Sequence, residues 1–319
     1  MTVVATWTEI APALRGLDLL PAIEDGFAAL YRGEATVPPV GELLFARGEA
    51  HIKYGAIRGD ETFAVKVATG FYDNPRRGLP SSNGVMLLFD ATTGAPRAVL
   101  LDEGRLTDIR TAVAGAIAAK YLAPKTIDAI GVIGTGIQAR LQAEYLRPVT
   151  GCSRIFVFGR DATAVDAYRR DMAEKGFDVT ACATPAAVAA RADLIVTTTP
   201  SHTPLLMAGD VRPGTHITAV GADTPEKNEL DPALFARAGR VVADSLAQCA
   251  VRGELHHALA AGTVARSRVV ELGAIAAGAA QGRQSDDEIT IADLTGVAVQ
   301  DIKIAQAVLA AIEAKRAAA

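Results

Sequence analysis

An apolar run that stops on one glycine, turns through a second and enters a helix leaves a chain few architectures. The run here is Ala129-Ile-Gly-Val-Ile-Gly134-Thr-Gly136-Ile-Gln-Ala139. Gly134 permits a tight turn. Gly136 lets a ligand approach the backbone, and Ala139 lets helix and strand pack closely. The first N–H groups of the following helix lack intrahelical acceptors and sit at the positive end of its dipole, which suits a phosphate. The glycine spacing alone is weak, but its setting is specific. Strand and helix alternate from Pro124 onward: strand Ala129–Ile133, helix Ile137–Leu146 stopped by Pro148, strand Arg154–Phe158, helix Ala162–Lys175. Further apolar strands follow at Val179–Cys182, Leu194–Thr198, His216–Val220 and Val241–Ala243. Such alternation implies a parallel sheet with helices on both faces, a Rossmann-type unit that seats a dinucleotide pyrophosphate on Gly134 and Gly136.

The chain before Pro124 follows a different grammar. A helical repeat runs from Leu17 to Tyr31 and stops at Gly33. Short apolar segments at His51–Ile57, Phe63–Ala68, Val85–Phe89 and Ala98–Leu101 are separated by Gly-Asp, Asn-Pro and Thr-Thr-Gly turns, which predicts a mainly antiparallel sheet. Thr107–Tyr121 then reads as one helix with Thr107 as N-cap and its Ala-rich middle buried. Near Ile289 the pattern leaves the parallel sheet, and Val297–Lys315 reads as an amphipathic helix. A terminal helix after a complete parallel unit most simply packs back on the first domain. The expected fold is therefore α/β, with a Rossmann domain at residues 122–293 inserted into a discontinuous α+β domain at residues 1–121 plus 294–319. The second domain is expected to bind the cofactor.

Composition excludes several classes. The 319 residues carry a formal charge of −4, so no basic face for nucleic acid is expected. No leader pattern and no apolar run of membrane length is visible, and three dispersed cysteines, Cys152, Cys182 and Cys249, form no CxxC pair. These features predict a cytoplasmic protein without a metal site. The five histidines, His51, His202, His216, His256 and His257, lack ligand spacing and read as structural or solvated. Arg76-Arg77 reads as a basic loop, solvated in the first reading and an attractor of an acidic substrate in the second.

The residues after the second strand, Phe158-Gly159-Arg160-Asp161, bear on the cofactor's form. An acidic residue would hold the ribose hydroxyls, while arginine would accept a 2′-phosphate. Gly159 takes the expected acidic position; Arg160 suits a phosphate and Asp161 a ribose. NAD(H) is the expected cofactor, with NADP(H) left open.

Seven ordered blocks resemble the ornithine cyclodeaminase/mu-crystallin family over nearly the whole chain. They are Val65-Lys66-Val67, Gly78-Leu-Pro-Ser81-Ser82-Asn-Gly84, Leu106-Thr-Asp-Ile-Arg110-Thr-Ala112, the glycine turn, Ala219-Val220-Gly221-Ala-Asp223, Lys227-Asn-Glu-Leu230 and Gly296-Val-Ala-Val-Gln-Asp301. The resemblance implies an NAD(P)-dependent enzyme acting on CH–NH2 or imine groups. Within the family, the Gly78–Gly84 block and Ile52-Lys53-Tyr54-Gly55 are most similar to a bacterial subgroup that includes iminosuccinate-reducing members. It also implies roles. Lys66 matches the active-site lysine and Asp223 the carboxylate that meets the substrate nitrogen. Arg110, Ser81, Ile137, Gln138, Val220, Gly221 and Lys227 match cofactor contacts, and Thr198 is counted with them. One departure matters. Cyclodeaminases of the family carry an arginine for the substrate α-carboxylate near residue 40, where Val37-Pro-Pro-Val-Gly-Glu42 has none. Lys53, on the strand before that of Lys66, is the first replacement candidate, with Ser81 or Ser82 as hydroxyl donors.

The expected reaction is hydride reduction of an imino acid, with iminosuccinate giving L-aspartate as the leading case and a dicarboxylate as the substrate class. The alternatives are an ornithine cyclodeaminase-type lyase that recycles its NAD, and a non-enzymatic binder of NADP and a small ligand. A homodimer formed through the first domain is expected from the resemblance.

Overall fold

The computed structural model describes residues 2–71 and 73–318. Met1 and Ala319, the outer limits of the expected first domain, lie outside them. The chain divides into two compact units: Met1–Arg110 with Val297–Ala319, and Thr111–Gly296. A Rossmann-type parallel-sheet unit is thus inserted into a discontinuous α+β unit.

The first unit holds β1 (Val3–Thr6), α1 (Trp7–Leu14), α2 (Leu20–Tyr31), β2 (Ala35–Thr36), β3 (Gly41–Phe45), β4 (Gly48–Ile57), β5 (Thr62–Gly70), β6 (Ser82–Asp90) and β7 (Pro96–Leu101). They form a seven-stranded sheet in the order β1-β7-β6-β5-β4-β2, with β3 also on β4. Only β1 pairs parallel with its neighbour. The terminal helix Ala298–Ala317 lies on β4, β5 and β6 and against α1 and α2. Its first turns are buried on every side, from Ala298 through Ile302. Those turns depart from the amphipathic pattern expected, while from Ile304 on burial keeps to one side, at Ile304, Ala305, Val308, Leu309 and Ile312.

The helix α3 (Arg105–Leu122) starts two residues before Thr107, so Thr107 is not its N-cap. The Asp102 carboxylate accepts from Leu106 N at 2.9 Å and does that work instead. The expected helix from Leu17 begins at Leu20, after a separate helix that the sequence reading omitted along with β1, β2 and β3.

The second unit holds β8 (Ile130–Ile133), α4 (Ile137–Thr150), β9 (Arg154–Phe158), α5 (Ala162–Glu174), β10 (Asp178–Ala181), β11 (Leu194–Thr197), β12 (His216–Ala219), β13 (Ala238–Ala243), β14 (Val269–Glu271) and β15 (Ile289–Asp293). The sheet is wholly parallel in the order β10-β9-β8-β11-β12-β15-β13-β14. Order reverses between β8 and β11, the switch point at which such sheets bind ligands beyond their strand ends. Two expectations are corrected. The chain does not leave the sheet at Ile289: Ile289–Asp293 is an interior strand, buried throughout. Pro148 does not stop α4, since a proline in a last turn forfeits only one hydrogen bond. The stop is Gly151, left-handed at φ 68°, whose N–H donates to Arg147 O at 2.8 Å.

Candidate active site

Lys66 lies on the face of β5 that the terminal helix covers and is 2% exposed. Its Nζ sits 3.0 and 2.9 Å from the two carboxylate oxygens of Asp301. Arg110, 4% exposed, donates from Nε to Asp301 Oδ1 at 3.0 Å and from a terminal nitrogen to Gln300 Oε1 at 2.6 Å. Because the guanidinium fixes Oε1 as the acceptor, the Gln300 amide nitrogen is left buried with no partner among the described residues. Lys53, also buried, is the direct cross-strand neighbour of Lys66.

Like charges set opposite each other across a ladder repel. Burial drives the Lys66 ammonium down to about 7, against the pull of Asp301; Arg110 and Lys53 push the same way as burial. Burial alone would raise Asp301, but Lys66, Arg110 and Lys53 outweigh it and hold the carboxyl below its usual range. The cluster gathers three buried cationic side chains and an unpartnered amide N–H at Asp301, with the buried Asp102 carboxylate also close enough to act on Lys66, a setting that suits an anionic ligand.

Arg110, expected at the cofactor phosphates, is instead committed to Asp301 and Gln300. Ser82 shares the Lys66 face of the sheet but lies four residues along β6 from Met86, the cross-strand partner of Lys66, or roughly 13 Å at the strand rise. Ser81 contributes its carbonyl to Phe71 N at 2.7 Å. Neither serine joins the cluster. Asp301 and Gln300 were absent from the expected site. Asp301 stood in a quoted block, yet nothing local marked its partner.

The second unit forms a cavity of about 410 Å³ whose lining includes Gly134, Gly136, Gly159, Arg160, Thr198 and Ser201. Gly134 has φ 122°, and a Cβ there would lie 2.4 Å from Thr198 Oγ1, so glycine is obligatory. A Cβ on Gly136 would meet nothing within 4 Å and would project into open space. The Thr198 N–H and hydroxyl both donate to Ile133 O, at 2.9 and 3.2 Å, and hold the turn in place. Arg140 braces it further by donating to Gly136 O at 3.1 Å while pairing with Asp171. This glycine-lined cradle at a helix start fits a dinucleotide pyrophosphate. Ile137, half exposed, and Gln138 open that helix.

Asp223 follows the end of β12 and accepts from Lys227 Nζ at 2.7 Å. Its backbone oxygen accepts from Arg252 at 3.1 Å. Glu229, missed by the sequence reading, accepts from Thr199 N at 2.6 Å and Gly221 N at 2.9 Å, so it ties together the loops after β11 and β12. Burial raises its carboxyl to about 7. His216 bonds Thr290 and Thr218, and burial drives it down to about 3, a structural histidine. Arg76 sits in an exposed pair with Asp73.

Comparison with known proteins agrees with this geometry. The model of the ornithine cyclodeaminase/mu-crystallin family matches residues 1–316. A Rhizobium meliloti protein with a provisional dehydrogenase name is 46% identical over 301 residues, covering 92% of this chain and 91% of the relative. The iminosuccinate reductase of Paracoccus denitrificans is 38% identical over 306 residues, 94% of this chain and 93% of the relative. Its solved structure with NAD+ superposes with a TM-score of 0.88 at 35% identity, covering 98% and 97% of the two chains. An archaeal alanine dehydrogenase dimer with bound NAD gives a TM-score of 0.91 at 33% identity, covering 99% and 97%. With a matching profile along almost its whole length and a shared fold, this chain belongs to the ornithine cyclodeaminase/mu-crystallin family.

Proposed function

We propose that the protein is an NAD(P)H-dependent imino acid reductase whose leading substrate is iminosuccinate, reduced to L-aspartate. The observation that carries the substrate class is the buried set of Lys53, Lys66, Arg110 and the open Gln300 amide gathered at the Asp301 carboxylate. Such a set recognises carboxylates. Relatives named for alanine and iminosuccinate support the reaction type.

In this reading the first unit binds substrate and the second binds cofactor. The nicotinamide, when bound, supplies the hydride for the imino carbon. Lys66 and Arg110 hold the α-carboxylate, and Lys66 also relays a proton. Asp223, oriented by Lys227, favours the positively charged nitrogen that makes the carbon electrophilic. Lys53 takes the second carboxylate. Three free cysteines suit a cytosolic enzyme.

An NADH absorbance assay with ammonium and oxaloacetate, pyruvate, 2-oxoglutarate or glyoxylate tests the reading. Oxaloacetate is expected to give the highest kcat/KM. Lys53→Ala should raise KM for oxaloacetate, because ground-state and transition-state binding are lost together, and hardly alter pyruvate. Equal losses on both substrates remove Lys53 from this role. Ammonia released from ornithine without net NADH change identifies a cyclodeaminase, and binding without turnover a crystallin-like protein.

A homodimer through the first unit is part of the proposal. The face of its sheet opposite the terminal helix carries Val4, Tyr54 and Leu101, exposed by 54%, 41% and 43%, on the same side as Phe63, Val65 and Leu87. A second copy that supplies the same apolar face would cover it. Light scattering is expected to give twice the chain mass, and a monomer at micromolar concentration sinks this part.

A further inference from the structure

Besides the glycine turn, two stretches of chain line the cavity of the second unit: residues 158–161 and the loop at residues 198–205. The first is braced by its own neighbours. Asp161 Oδ1 caps α5 by accepting from Thr163 N at 2.7 Å and Ala164 N at 3.1 Å. The second takes its shape from a segment 30 residues further on. Asn228 N donates to Ser201 O at 2.7 Å, and the Glu229 carbonyl accepts from Leu205 N at 2.7 Å and Leu206 N at 3.1 Å. The Glu229 side chain reaches the other end of the loop, where Oε1 accepts from Thr199 N at 2.6 Å and from Thr199 Oγ1 at 2.7 Å. One residue thus holds both ends of this part of the lining.

The same carboxylate reaches the loop after β12, where Oε2 accepts from Gly221 N at 2.9 Å. The two loops meet backbone to backbone at this point. A Cβ on Gly221 would lie 2.2 Å from Thr199 O and 2.5 Å from Glu229 Oε2, so only glycine lets the carboxylate in. Glu229 is itself gripped by a second buried carboxylate, Glu254 of the helix Gly253–Ala260. Glu254 accepts from Glu229 N at 2.6 Å, Leu230 N at 3.0 Å and Asn228 Nδ2 at 2.7 Å. A carboxylate satisfies donors on both oxygens at once. A proton or an amide places hydrogen on one side and weakens the bond there.

We propose that Glu229 is a positioning residue for the dinucleotide, its carboxylate fixing the loop at residues 198–205 and Gly221 in the arrangement that binds. The proposal rests on the reading of this cavity as the nucleotide site. Burial lifts Glu229 to about 7, against the pull of Thr199, Thr197 and Gly221. Burial first, then Glu229 and Asp293, push Glu254 well up, so charge on both carboxyls at once is disfavoured. Among the charged and titratable groups nearby, Asp293 ends β15. Arg252 donates to Asp223 O, and the His257 ring meets Lys227 O at 2.9 Å. Lys227 and Asp223 pair on the loop of Glu229 itself. As pH falls through about 7, Glu229 takes up a proton, its bonds to Thr199 and Gly221 weaken, and the loop is released. Affinity for the dinucleotide therefore rises with pH through that value.

Isothermal titration with NADH at pH 6, 7 and 8 tests this on the unaltered full chain and on Glu229→Gln. The unaltered protein is expected to bind NADH about tenfold more weakly at pH 6 than at pH 8, because the binding-competent fraction falls in that proportion. Glu229→Gln should bind about 10- to 100-fold more weakly at pH 8, the range for a buried donor left unsatisfied, and should show no dependence on pH. Cooperative thermal unfolding of the variant separates a released loop from a lost fold. If the variant does not fold, the pH series on the unaltered protein decides alone. Three results overturn the assignment and leave the nucleotide site standing. These are NADH affinity independent of pH in the unaltered protein, the same pH dependence in Glu229→Gln, which places the proton on another group, and parental affinity in the variant at pH 8. If the unaltered protein binds no NADH at any of these pH values, the nucleotide-site reading falls together with this one.

Discussion

Lys66→Ala is expected to lower turnover by about 10²- to 10⁴-fold, the range for removal of a positioned proton-transfer group. NADH affinity should stay unchanged, because Lys66 belongs to the first unit and the glycine cradle to the second. The fold should survive, since Asp301 keeps its 3.0 Å bond from Arg110. Asp223→Ala should likewise cut turnover and spare NADH binding. The pH profile adds an independent readout. Burial holds Lys66 at about 7 in the free protein, so the cation that receives a carboxylate disappears as pH rises through that value. The kcat/KM is therefore expected to fall above about pH 7. A bound carboxylate restores the ammonium, so the corresponding limb of kcat should lie at higher pH.

Stability carries the opposite sign. The folded-state value lies below the 10.5 of a free lysine, so from about 7 to 10.5 the unfolded chain holds a proton that the folded one lacks. Through this group, stability rises with pH across that window, by up to about 1.4 kcal/mol per pH unit. Lys66→Ala should lose that slope in denaturant unfolding at pH 7 and pH 9. Full activity in the variant removes the role assigned to Lys66.

The second large effect is expected at Gly136. Gly136→Val should abolish NADH binding, because its side chain would project into the open cradle where the pyrophosphate approaches. The thermal midpoint should barely move: Gly136 has an ordinary extended backbone at φ −79° and ψ −166°, which valine also adopts. Gly134 is the contrasting case. At φ 122°, and with Thr198 Oγ1 2.4 Å from its Cβ position, substitution there should damage the turn itself. Fluorescence titration with NADH and thermal unfolding separate the two. Unchanged NADH affinity in Gly136→Val would refute the phosphate site.

Much of the fold was legible because its signals are local. A glycine turn between an apolar strand and a helix is specified by about ten consecutive residues, and so is the alternation that follows it. The antiparallel strands of the first unit were legible for the same reason, from β4 through β7. Errors fell where local pattern was silent or misleading. The short strand β15 has five residues and ends on the charged Asp293, so nothing local announces that it is interior. The strand β3 exposes Leu43, Leu44 and Phe45, so its residues show no alternation of apolar and polar.

By itself, the sequence determined the two grammars and the glycine cradle, since each depends only on neighbours in the chain, while the candidacy of Lys66 came from the family resemblance. Tertiary structure decided the chemistry around them. Lys66 meets Asp301 across 235 residues, and Arg110 meets the same carboxylate across 191. Those meetings exist because the terminal helix returns to the first sheet after the whole second unit has been traversed. The bareness of Gly159 is likewise set from outside, by Thr135 and Val165 filling the space a side chain would need. Periodicity can reveal which face of a strand or helix is buried, but charge pairing and steric exclusion depend on which distant element lies against that face, and only the folded topology supplies it.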